Sequence, residues 1–190
     1  DGIITARCKL IAVTHVSNVT GAETDVAAIV DAAKSVGAKV LLDGAQRVPH
    51  GPVDVQSLGV DFYTFSGHKM YAPNGIGVLW GRAELLDAMP PFLGGGEMIR
   101  TVTLDETIFA EVPHKFEAGT PPIAQAVGLG AATRWLSKID TAAASQHVAD
   151  LTERVLSGLD EMPAIRLIGP SGLQSRLSVI SFCVDGLHPH

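Results

Sequence analysis

Two apolar runs joined by a short link constrain this chain more than any other feature. Val60-Asp61-Phe62-Tyr63-Thr64-Phe65 and Gly75-Ile76-Gly77-Val78-Leu79-Trp80 both read as strands. The link of residues 66–74 is too short for the crossover that parallel neighbours need, so if the two strands pair they are antiparallel. That gathers Ser66, His68 and Lys69 into one loop at a sheet edge, with Gly67, Pro73 and Gly75 shaping the turn. A hydroxyl, an imidazole and an amine so placed describe an anion site beside a reactive amine. A solvated turn with a surface lysine is the plainer alternative.

Upstream, residues 8–16 read as a strand that is apolar on both faces and therefore central. The strand runs into the polar loop Ser17-Asn18-Val19-Thr20-Gly21. Thr24 then caps a helix whose apolar stripe is Val26, Ile29, Val30 and Ala33, stopped by Gly37. The next strand, residues 38–42, ends on Asp43-Gly44-Ala45-Gln46. Strand, helix and strand with short loops form a βαβ unit with parallel strands. Three polar loops thus leave the carboxyl ends of three neighbouring strands, where open α/β sheets bind ligands.

Past Trp80 come a short helix over residues 82–89, a glycine loop Gly94-Gly95-Gly96-Glu97, and the turn-rich Phe116-Glu117-Ala118-Gly119-Thr120-Pro121-Pro122. Helices follow over about 123–137 and 142–159, the second with Val148, Leu151, Val155 and Leu159 along one face. Strands over 165–168 and 178–184 complete the chain. The pattern is α/β, a mostly parallel mixed sheet flanked by helices over residues 1–138, giving way to the start of a small α+β domain over 139–190.

Hydrophobic residues at 46% supply a core, and few aromatics with many glycines suit close helix-on-sheet layers. A net charge of −6 without a Lys/Arg cluster excludes a nucleic-acid surface, and no apolar run is long enough to cross a bilayer. Two distant cysteines, Cys8 and Cys183, make no disulfide framework, as expected in a reduced cytoplasm. The chain starts at Asp1 without a methionine and stops at Leu187-His188-Pro189-His190, and it reads as a piece of a longer protein. No metal-ligand spacing is present.

Asp43 at the end of an apolar strand needs a cation to offset its burial. One reading is a plain Asp43–Lys69 ion pair in a non-catalytic scaffold. The other places pyridoxal phosphate (PLP) between them. That cofactor needs an amine for a Schiff base, a carboxylate for its ring nitrogen and donors for its phosphate. Lys69, Asp43, and Ser66 with His68 are groups of those kinds.

Thr14-His15-Val16-Ser17-Asn18, Asp43-Gly44-Ala45-Gln46, Ser66-Gly67-His68-Lys69 and Phe116-Glu117-Ala118-Gly119-Thr120-Pro121 resemble the signature loops of cysteine desulfurases, fold-type I PLP enzymes of the class V aminotransferase group. The Phe116 segment and Gly94-Gly95-Gly96-Glu97-Met98-Ile99 resemble the Suf branch more than the Isc branch. The resemblance implies Lys69 as the Schiff-base lysine, Asp43 at the ring nitrogen and Gln46 at the ring hydroxyl. It implies Ser66 and His68 at the phosphate, Thr120 reaching the phosphate of a neighbouring subunit, and Asn18 at the substrate carboxylate. Residues 94–96 would shape a loop near the site and the dimer interface. His15 reads as a packing or hydrogen-bonding residue.

The activity so implied takes sulfur from L-cysteine, leaving alanine and an enzyme persulfide for iron–sulfur cluster assembly. The enzyme would be a homodimer that hands sulfur to an acceptor protein of the Suf system. Its catalytic cysteine and substrate-carboxylate arginine would lie outside this chain, leaving the piece inactive alone. A selenocysteine lyase or cystine lyase of the same fold is the near alternative. Cys183 reads as a packing residue whose neighbours Ile180, Phe182 and Val184 face a core, and not as the sulfur acceptor.

Overall fold

A computed structural model describes residues 3–188, so the chain-end readings at Asp1 and at Pro189-His190 lie outside the described residues. Strand β1 (Leu10–Thr14), helix α1 (Val26–Val36) and strand β2 (Lys39–Asp43) form the expected βαβ unit, with β1 and β2 parallel and Thr14 opposite Asp43. Strand β3 (Phe62–Ser66) is parallel to β2, with Asp43 opposite Thr64. Strand β4 (Gly77–Gly81) returns antiparallel to β3, as the short link requires. The sheet order is β1-β2-β3-β4, the mixed, mostly parallel sheet expected from the sequence.

β1 is at the edge of the described sheet and not central, and its Leu10 and Ala12 are exposed. Apolar composition reports a strand's affinity for burial, whereas its place in the sheet depends on which strands pair. The cap of α1 also differs from expectation. Asp25 is the N-cap, its Oδ1 accepting from the Ala28 N–H at 3.0 Å. Thr24 instead donates its hydroxyl to the Thr14 carbonyl at 2.6 Å. Gly37 ends the helix in the left-handed conformation, as expected.

The core forms where Val26, Val30 and Ala33 of α1 meet Val40, Leu42, Val60 and Tyr63. At the amino ends of β2 and β3, Asp61 accepts from the Val40 N–H at 2.9 Å and lies 3.5 Å from Lys39 and 3.6 Å from Arg82. These contacts anchor the sheet's far side, leaving the carboxyl ends of β1, β2 and β3 free for loops.

Helix α2 (Ala83–Ala88) leads to a hairpin, β5 (Ile99–Val102) with β6 (Thr107–Phe109), that the sequence reading missed. Both strands are exposed throughout, so no burial periodicity marks them. Helix α3 (Ile123–Leu136) packs on the turn after β3, bringing Gly128 against Pro73 and Gln125 beside Gly75. Tyr71 of that turn meets Trp135 edge to face at 5.5 Å.

Helix α4 (Thr141–Asp160) is capped by Asp140, and β7 (Ile165–Ile168) pairs antiparallel with β8 (Ser181–Val184) in a separate two-stranded sheet. The buried residues of α4 are Thr152 and Leu156, while Leu151 and Val155 are 49% and 47% exposed. The stripe drawn through Leu151 and Val155 is therefore one position off. Thr152 can be buried because its hydroxyl bonds the Val148 carbonyl at 2.8 Å. The expected core face around Cys183 is likewise not observed. Phe182 and Cys183 are both exposed, and Cys183 is opposite Arg166 across the β7–β8 pair.

Among the described residues no helix is long and apolar enough to cross a membrane, and no three His, Cys, Asp or Glu side chains converge as a metal site would need.

Candidate active site

The parallel register brings three loops together at one edge of the sheet. The His15 N–H donates to the Asp43 carbonyl at 2.7 Å, and the Gly44 N–H donates to the Thr64 carbonyl at 2.8 Å. The loops leaving β1, β2 and β3 thus start from hydrogen-bonded positions. Asn18, Asp43, Gln46, Ser66, His68 and Lys69 all belong to this edge.

Asp43 is half-buried, and its Oδ1 accepts from the Ala45 N–H at 2.9 Å, which fixes the carboxylate against its own turn. After β3 the chain enters a 3-10 turn, Gly67–Met70, that carries His68 exposed and Lys69 half-buried. Gly67 is required there. A Cβ would stand 2.6 Å from Ile76 Cγ2, while the Gly67 N–H bonds the Ile76 carbonyl at 2.8 Å. Among the described residues Lys69 makes neither an ion pair nor a hydrogen bond, so the Asp43–Lys69 pair of the scaffold reading does not form.

Asn18 is exposed in a tight turn. The Ser17 hydroxyl accepts from the Val19 and Thr20 N–H groups at 3.2 and 3.1 Å, and the Gly21 N–H bonds the Ser17 carbonyl at 3.0 Å. Ser66 and Gln46 are half-buried. Thr120 stands apart, exposed in the loop before α3. Its loop meets the glycine segment through the Gly119 N–H, which bonds the Gly96 carbonyl at 2.9 Å.

A layer of polar groups under Asp43 escaped the sequence reading. His15 and Tyr63 are 5% and 2% exposed, and His15 Nδ1 lies 3.1 Å from the Tyr63 hydroxyl. Glu23 is 4.0 Å from His15 Nε2 and 3.8 Å from Arg47 Nε, so a chain of polar contacts curls around the Asp43 turn. Burial, with help from the Arg47 charge, holds the His15 imidazole below the ordinary histidine pKa, and Glu23 opposes. Burial and Arg47 lower His50 in the same way. Tyr63 is pushed up to about 12 by burial, the Asp43 charge adding and the Arg47 charge opposing. The packing role expected for His15 fits this layer. Tyr63, between Phe62 and Phe65 in a core strand, was the available signal, because a buried phenol needs a partner.

An apolar cavity of about 630 Å³ adjoins the loops after β2 and β3, lined by residues including Val48, Tyr63, Phe65, Met70, Trp80 and Leu136. None of the expected site residues lines it, and it offers no charged group.

Amine, carboxylate, imidazole and hydroxyl at the carboxyl ends of parallel strands define a site for polar small-molecule chemistry in an α/β enzyme fold. The chain belongs to the class-V aminotransferase family, whose model matches residues 1–190. A probable cysteine desulfurase of Streptomyces coelicolor is 51% identical over all of this chain and 46% of that protein. The crystal structure of the cysteine desulfurase CsdA from Escherichia coli superposes with a TM-score of 0.89 at 42% identity, over 98% of this chain and 46% of CsdA. A lysine-to-alanine variant of C-DES, with glycine covalently linked to its PLP cofactor, aligns at 28% identity and a TM-score of 0.78, over 93% of this chain and 47% of that one. The chain spans less than half the length of these relatives. Their shared fold is the fold-type I α/β arrangement described above.

Proposed function

We propose that this chain carries the cofactor-holding part of a PLP-dependent cysteine desulfurase acting on L-cysteine. The observation that carries the reading is the pair Asp43 and Lys69, on loops leaving adjacent parallel strands without pairing to each other. A half-buried carboxylate and an uncommitted amine suit PLP, because each group is left to meet the cofactor. When bound, PLP supplies an electrophilic carbon for an amine and a ring that withdraws electrons from the substrate's α-carbon.

Lys69 would hold the cofactor covalently and, once released, move the α-proton at its Nζ. Asp43 would keep the ring nitrogen protonated, with Ala45 orienting its Oδ1. Gln46 would meet the ring hydroxyl, Ser66 and His68 the phosphate, and Asn18 the substrate carboxylate. Thr120, exposed and without a partner among the described residues, would reach the phosphate of a second subunit in a homodimer. Residues 1–138 would form the cofactor domain and 139–190 the start of the small domain.

Sulfur would pass to an enzyme cysteine as persulfide, then to a Suf-type acceptor protein for iron–sulfur cluster assembly in the cytoplasm. The Phe116 segment and the glycine loop, joined through Gly119 and Gly96, favour the Suf branch. Neither cysteine of this chain suits the acceptor role. Cys8 is before β1, with its Sγ directed to the Leu10 carbonyl at 3.6 Å, and Cys183 is on β8 of the separate two-stranded sheet, opposite Arg166.

Borohydride reduction of the holoenzyme followed by peptide mapping tests the reading. The cofactor should be found on Lys69, and Lys69→Ala should lose the visible absorption of the unmodified holoenzyme. A label on another lysine would end the assignment.

A further inference from the structure

The loop that presents Asn18 is stitched to a segment far along the chain. Ala22 and Arg176 form an antiparallel bridge, flanked by the Leu177 N–H donating to the Gly21 carbonyl and the Glu23 N–H donating to the Ser175 carbonyl, each at 2.9 Å. The Ser181 hydroxyl donates to the Val19 carbonyl. Gly21 has a φ of +70°, and a Cβ there would stand 2.4 Å from the Val179 carbonyl oxygen. Only glycine allows so close an approach in that conformation.

Arg176 is at the centre of this seam. It is 4% exposed, and its Nη2 donates to the Thr20 carbonyl at 2.8 Å, two residues after Asn18. Its Nε and Nη1 are buried without a partner. Burying a guanidinium with a single hydrogen bond is costly, and a smaller donor would reach one carbonyl at lower cost. The two orphaned nitrogens do not share an edge of the guanidinium plane, so they do not form the fork that binds a carboxylate. The contact that Arg176 makes is the one to the turn.

We propose that Arg176 is a positioning residue for the substrate-carboxylate contact. Through the Thr20 carbonyl it holds the 17–22 turn from outside, while Ser17 holds it from inside, so that Asn18 meets the amino acid in one orientation. The role rests on the assignment of Asn18 to the substrate carboxylate made above. It makes substrate affinity depend on the contact between the 17–22 turn and residues 173–181.

Steady-state kinetics of the holoenzyme with L-cysteine, recorded with the cofactor's visible spectrum, test the role. Asn18→Ala and Arg176→Met should each raise KM about tenfold, with kcat changed by less than about twofold and cofactor content intact. The double variant should be no worse than Asn18→Ala alone, because Arg176 acts through Asn18. Arg176→Lys keeps a charged donor for the Thr20 carbonyl and should return KM to near the unmodified value. A Lys variant with KM raised as far as in Asn18→Ala, at full cofactor content, would overturn the role even if Arg176→Met does not fold. So would an Arg176→Met enzyme of normal KM beside an impaired Asn18→Ala enzyme. A normal KM in Asn18→Ala would instead remove the Asn18 assignment, and the role with it.

Discussion

His15 Nδ1 is 3.1 Å from the Tyr63 hydroxyl, and both residues are buried beneath the turn that carries Asp43. Tyr63 comes from β3 and His15 from the end of β1, so the pair spans β2 from below. The turn after β2 therefore rests on a hydrogen-bonded floor. In the role proposed for Asp43, a carboxylate held against a cofactor ring would benefit from such a floor, because misplacement weakens the contact it makes.

Asp43→Asn tests the charge apart from the shape. The side-chain carbonyl of Asn can still accept from the Ala45 N–H, as Asp43 Oδ1 does at 2.9 Å, so the turn should survive. Cofactor content should be retained while turnover falls about a hundredfold, the equivalent of about 3 kcal/mol of transition-state stabilisation. Near-normal turnover in this variant would make Asp43 a structural residue.

Gly44→Ala tests the floor itself. A Cβ at Gly44 would stand 1.9 Å from the Tyr63 hydroxyl oxygen and 2.0 Å from Cζ, with the ring enclosed in the core. The turn or the ring must move, and overpacking of this kind costs about 1–3 kcal/mol. The unfolding midpoint of the holoenzyme should fall in Gly44→Ala. The same change made on a Tyr63→Ala background should cost less, since the obstructing ring is gone. Equal costs on both backgrounds would place the strain elsewhere.

Acid should destabilise the fold through the buried His15 and the half-buried His50. His15 and His50 both have folded pKa values below the ordinary one, burial being the larger cause in each. Their contribution is complete above the unfolded value of about 6.5. As pH falls below that value, the unfolded chain takes up protons that the folded chain refuses, and stability is lost down to the lowered folded values. Urea midpoints should drop between about pH 7 and pH 5, and the slope should be shallower in His15→Gln. A midpoint that stays flat across this window would contradict the buried neutral imidazoles.

Much of the site is legible in the sequence because its parts are local. The apolar runs, the length of the link between β3 and β4, and the glycines that end α1 and open the turn after β3 determine a βαβ unit, an antiparallel return and three loops on one edge. Asp43, Ser66, His68 and Lys69 follow from their places on those loops. Local periodicity cannot tell which strand is at an edge, so β1 reads as central, whereas it is at the edge of the described sheet. It also left the face of α4 one position off, because a buried Thr152 looks polar until its own helix satisfies it.

The remaining features join residues that no window contains. His15 meets Tyr63 across 48 positions, and Arg176 meets Thr20 across 156. Tertiary packing gives the buried His15 and Tyr63 each other and gives Arg176 one carbonyl, and a sequence does not name those partners. The chain by itself determined its elements and the residues on their ends. Tertiary structure decided what lies beneath Asp43 and what grips the turn of Asn18.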